Sequence, residues 1–154
     1  MQIHNSFKVP VAPQQAWPLL TDVSNVASCV PGAQVLEVTS DGVYRGELAV
    51  KLGPVAMTFN GQMHFEALDE AAGTAVAIAS ARELRNRGSA DARILFALHA
   101  DESGTRVDVS TELTLAGQAA QYGRAAGVLS KVSGFLLSRF AACLARRIEQ
   151  ASAS

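Results

Sequence analysis

A chain of 154 residues, 49% of them apolar, is long enough for one domain with a sizeable core, and its formal net charge of −1 excludes the broad basic excess of a nucleic-acid binder. The charge is uneven: 8 Lys and Arg stand against 13 Asp and Glu up to Gly117, but 5 against 1 from Gln118 onward. A mildly acidic body with a basic end fits contact with an anionic surface, either lipid headgroups or an acidic partner.

In chain order, Ile3, Asn5, Phe7 and Val9 alternate with Gln2, His4, Ser6 and Lys8, which predicts a first strand ending at Pro10. Pro13 opens a short helix through PQQAWPLL, and Asp22 is a good N-cap for a second, DVSNVASCV, stopped by Pro31-Gly32. From Ala33 to Leu115 strand follows strand. The clearest alternates Met57, Phe59, Gly61, Met63 and Phe65 with Thr58, Asn60, Gln62, His64 and Glu66, the pattern of an antiparallel sheet with one dry and one wet face. Turns are expected at Ser40-Asp41-Gly42, Gly53-Pro54, Glu70 to Gly73, Asn86 to Ser89 and Asp101 to Gly104.

From Gln118 to about Glu149 no proline occurs, and Tyr122, Leu129, Val132, Leu136, Phe140, Cys143, Leu144 and Ile148 recur at helical spacing. This predicts a single terminal helix of roughly 45–50 Å. Its second face, Gly123, Gly127, Gly134, Ala141 and Ala145, is almost bare, a costly choice in a helix that leaves volume open or admits a second helix, as in a homodimer. Its third face carries Arg124, Lys131, Arg139 and Arg146 with Val128 and Phe135 among them. That is either a solvated face or a surface for membrane or partner contact. The expectation is one α+β domain over 1–150 with a frayed 151–154.

Cys29 and Cys143 fit no metal-ligand spacing and are expected to be free, buried and reduced. The opening MQIHNSF lacks the features of a signal peptide. No run of about 18 apolar residues is read, so the expectation is a cytoplasmic chain whose membrane contact is at most peripheral. His4, His64 and His99 are isolated, no metal-binding spacing exists, and no nucleophile motif or phosphate-cradling loop is present, so neither a metal nor a covalent cofactor is expected.

The order of one strand, two short helices, about six strands and a long terminal helix resembles the helix-grip fold of the START and birch-pollen-allergen (SRPBCC) superfamily. More closely, Cys29-Val-Pro-Gly32, Gly42-Val-Tyr-Arg-Gly46, Gly53-Pro-Val with Phe59-Asn-Gly61, and Gln121-Tyr-Gly-Arg124 resemble, in order and separation, the CoxG-like family of carbon monoxide dehydrogenase proteins over nearly the whole chain. The stretch RELRNRGS, residues 82–89, departs from the glycine-rich sequence usual there. The resemblance implies a curved antiparallel sheet of about seven strands around the terminal helix. It also implies a non-enzymatic accessory of a CO-dehydrogenase-type molybdenum hydroxylase, associated with placing that enzyme at the membrane or linking it to a lipid-soluble quinone.

In such a fold sheet and helix diverge, and the cavity wall is expected from Met57, Phe59, Met63, Phe65, Ile78, Phe96, Leu98, Val109 and Leu113, with Tyr122, Leu129, Leu136 and Phe140 from the helix. The expected ligand is a quinone- or lipid-like molecule, its head oriented by Tyr122 or Arg124. Solid packing of the same residues would leave a recruitment scaffold without ligand. A small cyclase or hydrolase of the same superfamily is the other reading, with Arg82 as the one inner-face ionisable group.

Overall fold

A computed structural model describes residues 1–125 and 127–153. Strand β1 (Gln2–Val9) is followed by helices α1 (Pro13–Thr21) and α2 (Val23–Cys29). Six strands come next: β2 (Ala33–Val38), β3 (Tyr44–Leu52), β4 (Val55–Asp69), β5 (Thr74–Glu83), β6 (Ser89–Asp101) and β7 (Gly104–Ala116). The chain closes with α3 (Gln118–Gly123) and α4 (Val128–Ala153). The strands form one antiparallel sheet in the order β1-β7-β6-β5-β4-β3-β2, so β2 to β7 meander and β1 returns to the far edge beside β7.

The short helices connect the two sheet edges. Pro13 stands at the start of α1, where its missing N–H costs nothing, and the Asp22 carboxylate caps α2 by accepting from the Asn25 amide at 3.2 Å. Two apolar clusters flank the inner face of the sheet. One gathers Val9, Trp17, Leu20, Leu98, Val107, Phe140 and Leu144 under the C-terminal part of α4, with Phe7 edge-on to Phe140 at 5.5 Å. The other gathers Leu52, Met57, Phe59 and Ala119 with Tyr122, Leu129 and Val132 under its N-terminal part.

Three expectations are corrected. The terminal segment is two helices: Arg124 and Ala125 leave the helical path, and Gly127 has φ +77°, a left-handed conformation that ends a helix. Nothing but glycine marks that break, so spacing alone reads straight through it. The bare face is interrupted with it: Gly123 lies against the Leu115 side chain, Gly127 sits in the break, and Gly127 and Gly134 both face open space. Helix α4 is described to Ala153, and Ser154, in the stretch expected to fray, lies outside the described residues.

The cysteines are the second correction. Cys29 of α2 and Cys143 of α4 form a disulfide with Cα atoms 5.5 Å apart, across 114 residues of sequence. Cys29 is buried, as expected, Cys143 only partly so, and the two are paired rather than free; nothing in their sequence spacing could show that two helices bring them together. The third concerns membrane length. By length and composition alone the Val128–Ala151 segment is long and apolar enough to cross a bilayer, since Lys131 and Arg139 are spread thinly among apolar residues. In this fold the same helix lies against the sheet, with Phe140 and Leu144 in the core.

Candidate functional site

The register of the sheet brings small residues into line under α4. One row across the inner face reads Gly46, Gly61, Ala81, Ala90, Leu115, and the next reads Tyr44, Met63, Ala79, Ala92, Leu113. Bulkier rows follow: Phe65, Ala77, Ile94, Thr111, Ile3, then Ala75, Phe96, Val109, Asn5. Where glycine and alanine floor the sheet, α4 cannot reach it, and a cleft remains between them.

The cleft has two adjoining parts of about 390 Å³ and 370 Å³, which share Val23, Met63, Ile94 and Leu136 as walls. Cavities of a few hundred Å³ suit small organic ligands. The first part runs toward the β2–β3 edge over the Gly/Ala floor and is covered by Leu129, Val132 and Leu136. The second runs toward β1, between Phe65, Phe96 and Val109 below and Leu136, Leu137 and Phe140 above.

Of the expected wall residues, Phe59, Met63, Phe65, Phe96, Val109, Leu113, Leu129, Leu136 and Phe140 line this cleft. Four do not. Met57 is fully buried in the cluster beneath the start of α4 and borders an outer groove, Leu98 belongs to the core cluster that holds Trp17, and Tyr122 packs against the cluster of Leu52, Met57, Phe59 and Ala119. Ile78 pairs with His64 and Arg93 and so points to the opposite face of the sheet from Ala77 and Ala79. Sequence reasoning looks for bulk along β5, whereas the inner face of that strand is Ala75, Ala77, Ala79 and Ala81. The period-2 run of alanines is the available signal. Sequence reasoning also misses Val23, Ala92, Ile94 and Val132, and the polar wall residues Asn5, Thr111 and Ser133.

Arg45 and Glu47 line the part of the cleft toward β2 and β3, and no charged residue lines the β1-side part. Arg82, expected inside, is exposed, and its neighbour Glu83 is the buried one at 4% exposure. Glu83 accepts from Arg87 Nε at 2.9 Å and from the amides of Thr58, Arg85 and Arg87, while Arg87 Nη2 donates to the Ala56 carbonyl at 2.8 Å. This pins the β5–β6 loop to β4, and the Ala119 amide donating to the Arg87 carbonyl ties α3 to the same loop. The Arg87 guanidinium, helped by those amides, pulls the Glu83 carboxyl down to about 2 against the opposing effect of burial. The arginines that depart from the family pattern thus include a structural staple.

The surface expected to meet membrane or partner divides. Arg124 stands on the turn after α3, away from α4. Along α4, Lys131, Arg139 and Arg146 are exposed, Val128 is half-buried, and Phe135 is 51% exposed with the Arg139 guanidinium 5.2 Å from its ring centre. Val128, Lys131 and Phe135 border an outer groove of about 620 Å³ with Pro31, Lys51 and Met57. Arg147 does a different job, donating to Asn25 Oδ1 at 2.9 Å and Ser28 Oγ at 2.7 Å and so holding α4 to α2.

Over residues 6–149 the sequence matches the family model of CoxG, a subunit of carbon monoxide dehydrogenase. The chain belongs to the CoxG family. No curated protein matches it. Among solved structures, this CoxG-family chain is similar to a conserved protein from Geobacillus kaustophilus, with TM-score 0.82, 16% identity, and 97% and 96% of the two chains covered. It is also similar to the ZhuI aromatase/cyclase from Streptomyces sp. R1128, with TM-score 0.66, 13% identity and coverages of 96% and 95%. Ara h 8.0201 matches at TM-score 0.52, 16% identity and coverages of 90% and 98%. Identities this low establish a shared fold, the helix-grip fold, and nothing finer.

Chemically, the cleft offers mostly apolar surface: neutral polar groups alone in the β1-side part, and Arg45 and Glu47 at the β3 edge of the other. Among the described residues no cluster of three His, Cys, Asp or Glu could hold a metal ion.

Proposed function

We propose that this chain is an accessory of a CO-dehydrogenase-type molybdenum hydroxylase that carries a quinone- or lipid-like molecule between its sheet and α4. Membership of the CoxG family supports the accessory role. The observation that carries the ligand is the cleft over the Gly61, Ala79, Ala81, Ala90 and Ala92 floor. Burying an isoprenoid or acyl chain there at about 25 cal/mol per Å² supplies affinity through apolar area. The Phe135 patch with Lys131 and Arg139 supports peripheral contact with anionic lipid, at ~1 kcal/mol per cation, weak enough for exchange.

A thermal-shift titration with a short-tailed quinone tests the reading. Ligand that binds only the folded chain raises the melting temperature with concentration. The rise is expected for the natural sequence and should vanish when Ala79→Phe and Ala92→Phe fill the floor. A natural sequence that shows no shift at saturating quinone or lipid would overturn the carrier and favour a scaffold.

A further inference from the structure

We infer that Asn5 and Thr111 form the head-group site of the cleft, and that the head they take is neutral: a carbonyl or hydroxyl rather than a carboxylate or phosphate. The inference rests on the carrier reading and narrows its ligand class.

Asn5 opposes Val109 and Thr111 opposes Ile3, so the two polar side chains are diagonal neighbours on the inner face, about 7–8 Å apart at the backbone. Both line the β1-side part of the cleft, whose other sheet walls are Phe65, Ile94, Phe96 and Val109. Asparagine is disfavoured in strands, and in a dry wall it leaves an amide with two donors and an acceptor to satisfy. Among the described residues, no side-chain hydrogen bond engages Asn5 or Thr111, yet no fully buried side-chain nitrogen or oxygen lacks a partner. Their polar atoms therefore keep access to the space in front of them, which is the cleft. Ser133 faces the same space from α4; its hydroxyl donates to the Ser130 carbonyl at 3.3 Å and so presents an acceptor.

The sign of the site follows from what is missing around it. No Lys, Arg, His, Asp or Glu lines this part of the cleft. An anionic head would enter without a counter-ion, which is costly in an apolar wall, whereas a carbonyl accepting from the Asn5 amide or the Thr111 hydroxyl is satisfied. The groups that sequence alone offers to orient the head are elsewhere: Tyr122 packs against the cluster of Leu52, Met57, Phe59 and Ala119, and Arg124 is exposed on the turn after α3.

The test uses three probes on the full chain: diphenylhexatriene, a pure hydrocarbon that fluoresces in an apolar cavity, with decylubiquinone and decanoate as competitors at pH 8. In the natural sequence decylubiquinone should displace the dye well below the concentration at which decanoate does. Asn5→Leu and the near-isosteric Thr111→Val should each weaken decylubiquinone about three- to tenfold, the loss of one neutral hydrogen bond, while dye affinity stays within twofold. Unchanged decylubiquinone affinity in a folded Thr111→Val variant overturns the head-group site but leaves the cavity. Decanoate binding as tightly as decylubiquinone overturns the neutral-head class. Failure of both the dye and decylubiquinone to bind the natural sequence overturns the carrier reading itself, and this inference with it.

Discussion

Cys29 and Cys143 join α2 to α4 at a Cα separation of 5.5 Å, and both helices contribute walls to the cleft, Val23 and Ala27 from one and Leu129, Val132 and Leu136 from the other. The bond closes a loop of more than a hundred residues, for which chain-entropy arguments give a stabilisation near the upper end of the usual range, about 2–5 kcal/mol. Thiol titration of denatured protein never exposed to reductant should find no free cysteine. Cys143→Ala should lower the melting temperature by roughly 5–15 °C. Two titratable thiols in the unreduced protein would contradict the pairing.

Glu83 makes folding stability depend on acid. Its carboxyl is lowered from an ordinary 4.5 to about 2, first by Arg87 and then by backbone amides. A depressed folded-state value means that the contribution is fully present above about 4.5 and is lost as the pH falls toward 2. Denaturant midpoints measured from pH 5 down to pH 2 should decline, and Glu83→Gln should flatten that decline while lowering stability at pH 7. Arg87→Ala should lower neutral-pH stability more than Glu83→Gln does, because it leaves a buried carboxylate without its cation. A pH profile unaltered by Glu83→Gln would show that the pair does not set it.

Phe140 is 4% exposed and edge-on to Phe7. Truncating it to alanine opens a hole in the cluster under α4 and should cost about 3–5 kcal/mol in chemical denaturation. Ile78→Ala, on the opposite face of the sheet, should cost under about 1.5 kcal/mol and leave ligand affinity unchanged. Equal losses from the two would refute the assignment of faces along β5.

Lys131 and Arg139 flank the exposed Phe135 ring. Co-sedimentation with vesicles containing phosphatidylserine should weaken by about 2 kcal/mol, or roughly 30-fold, in a Lys131→Gln/Arg139→Gln variant, and should fade with added salt. Binding that survives both changes would point to a surface other than this one.

Much of this fold is legible because strand alternation is local: β3, β4 and β7 follow from side chains two residues apart. The α3–α4 break is not, since Gly127 reads equally as a bare helical position and as a left-handed stop, and only the path of the backbone decides. The disulfide is invisible in sequence because it is made by α2 and α4 meeting in space. The cleft is half legible. Its aromatic and aliphatic walls show as bulky inward residues, but the feature that keeps it open is the lack of bulk at Ala77, Ala79, Ala81 and Ala92, which aligns only once strand register is known. Asn5 reads as one member of an alternating strand, and its position opposite Val109 is what makes it a wall residue.

Mass spectrometry of the organic extract from protein purified out of its own host, without added lipid or quinone, tests the carrier most directly. The expected result is one quinone or lipid species, near one equivalent, that is depleted when Ala79→Phe and Ala92→Phe fill the cleft. Protein that arrives clean from a host rich in such molecules, with its cleft intact, would contradict the carrier.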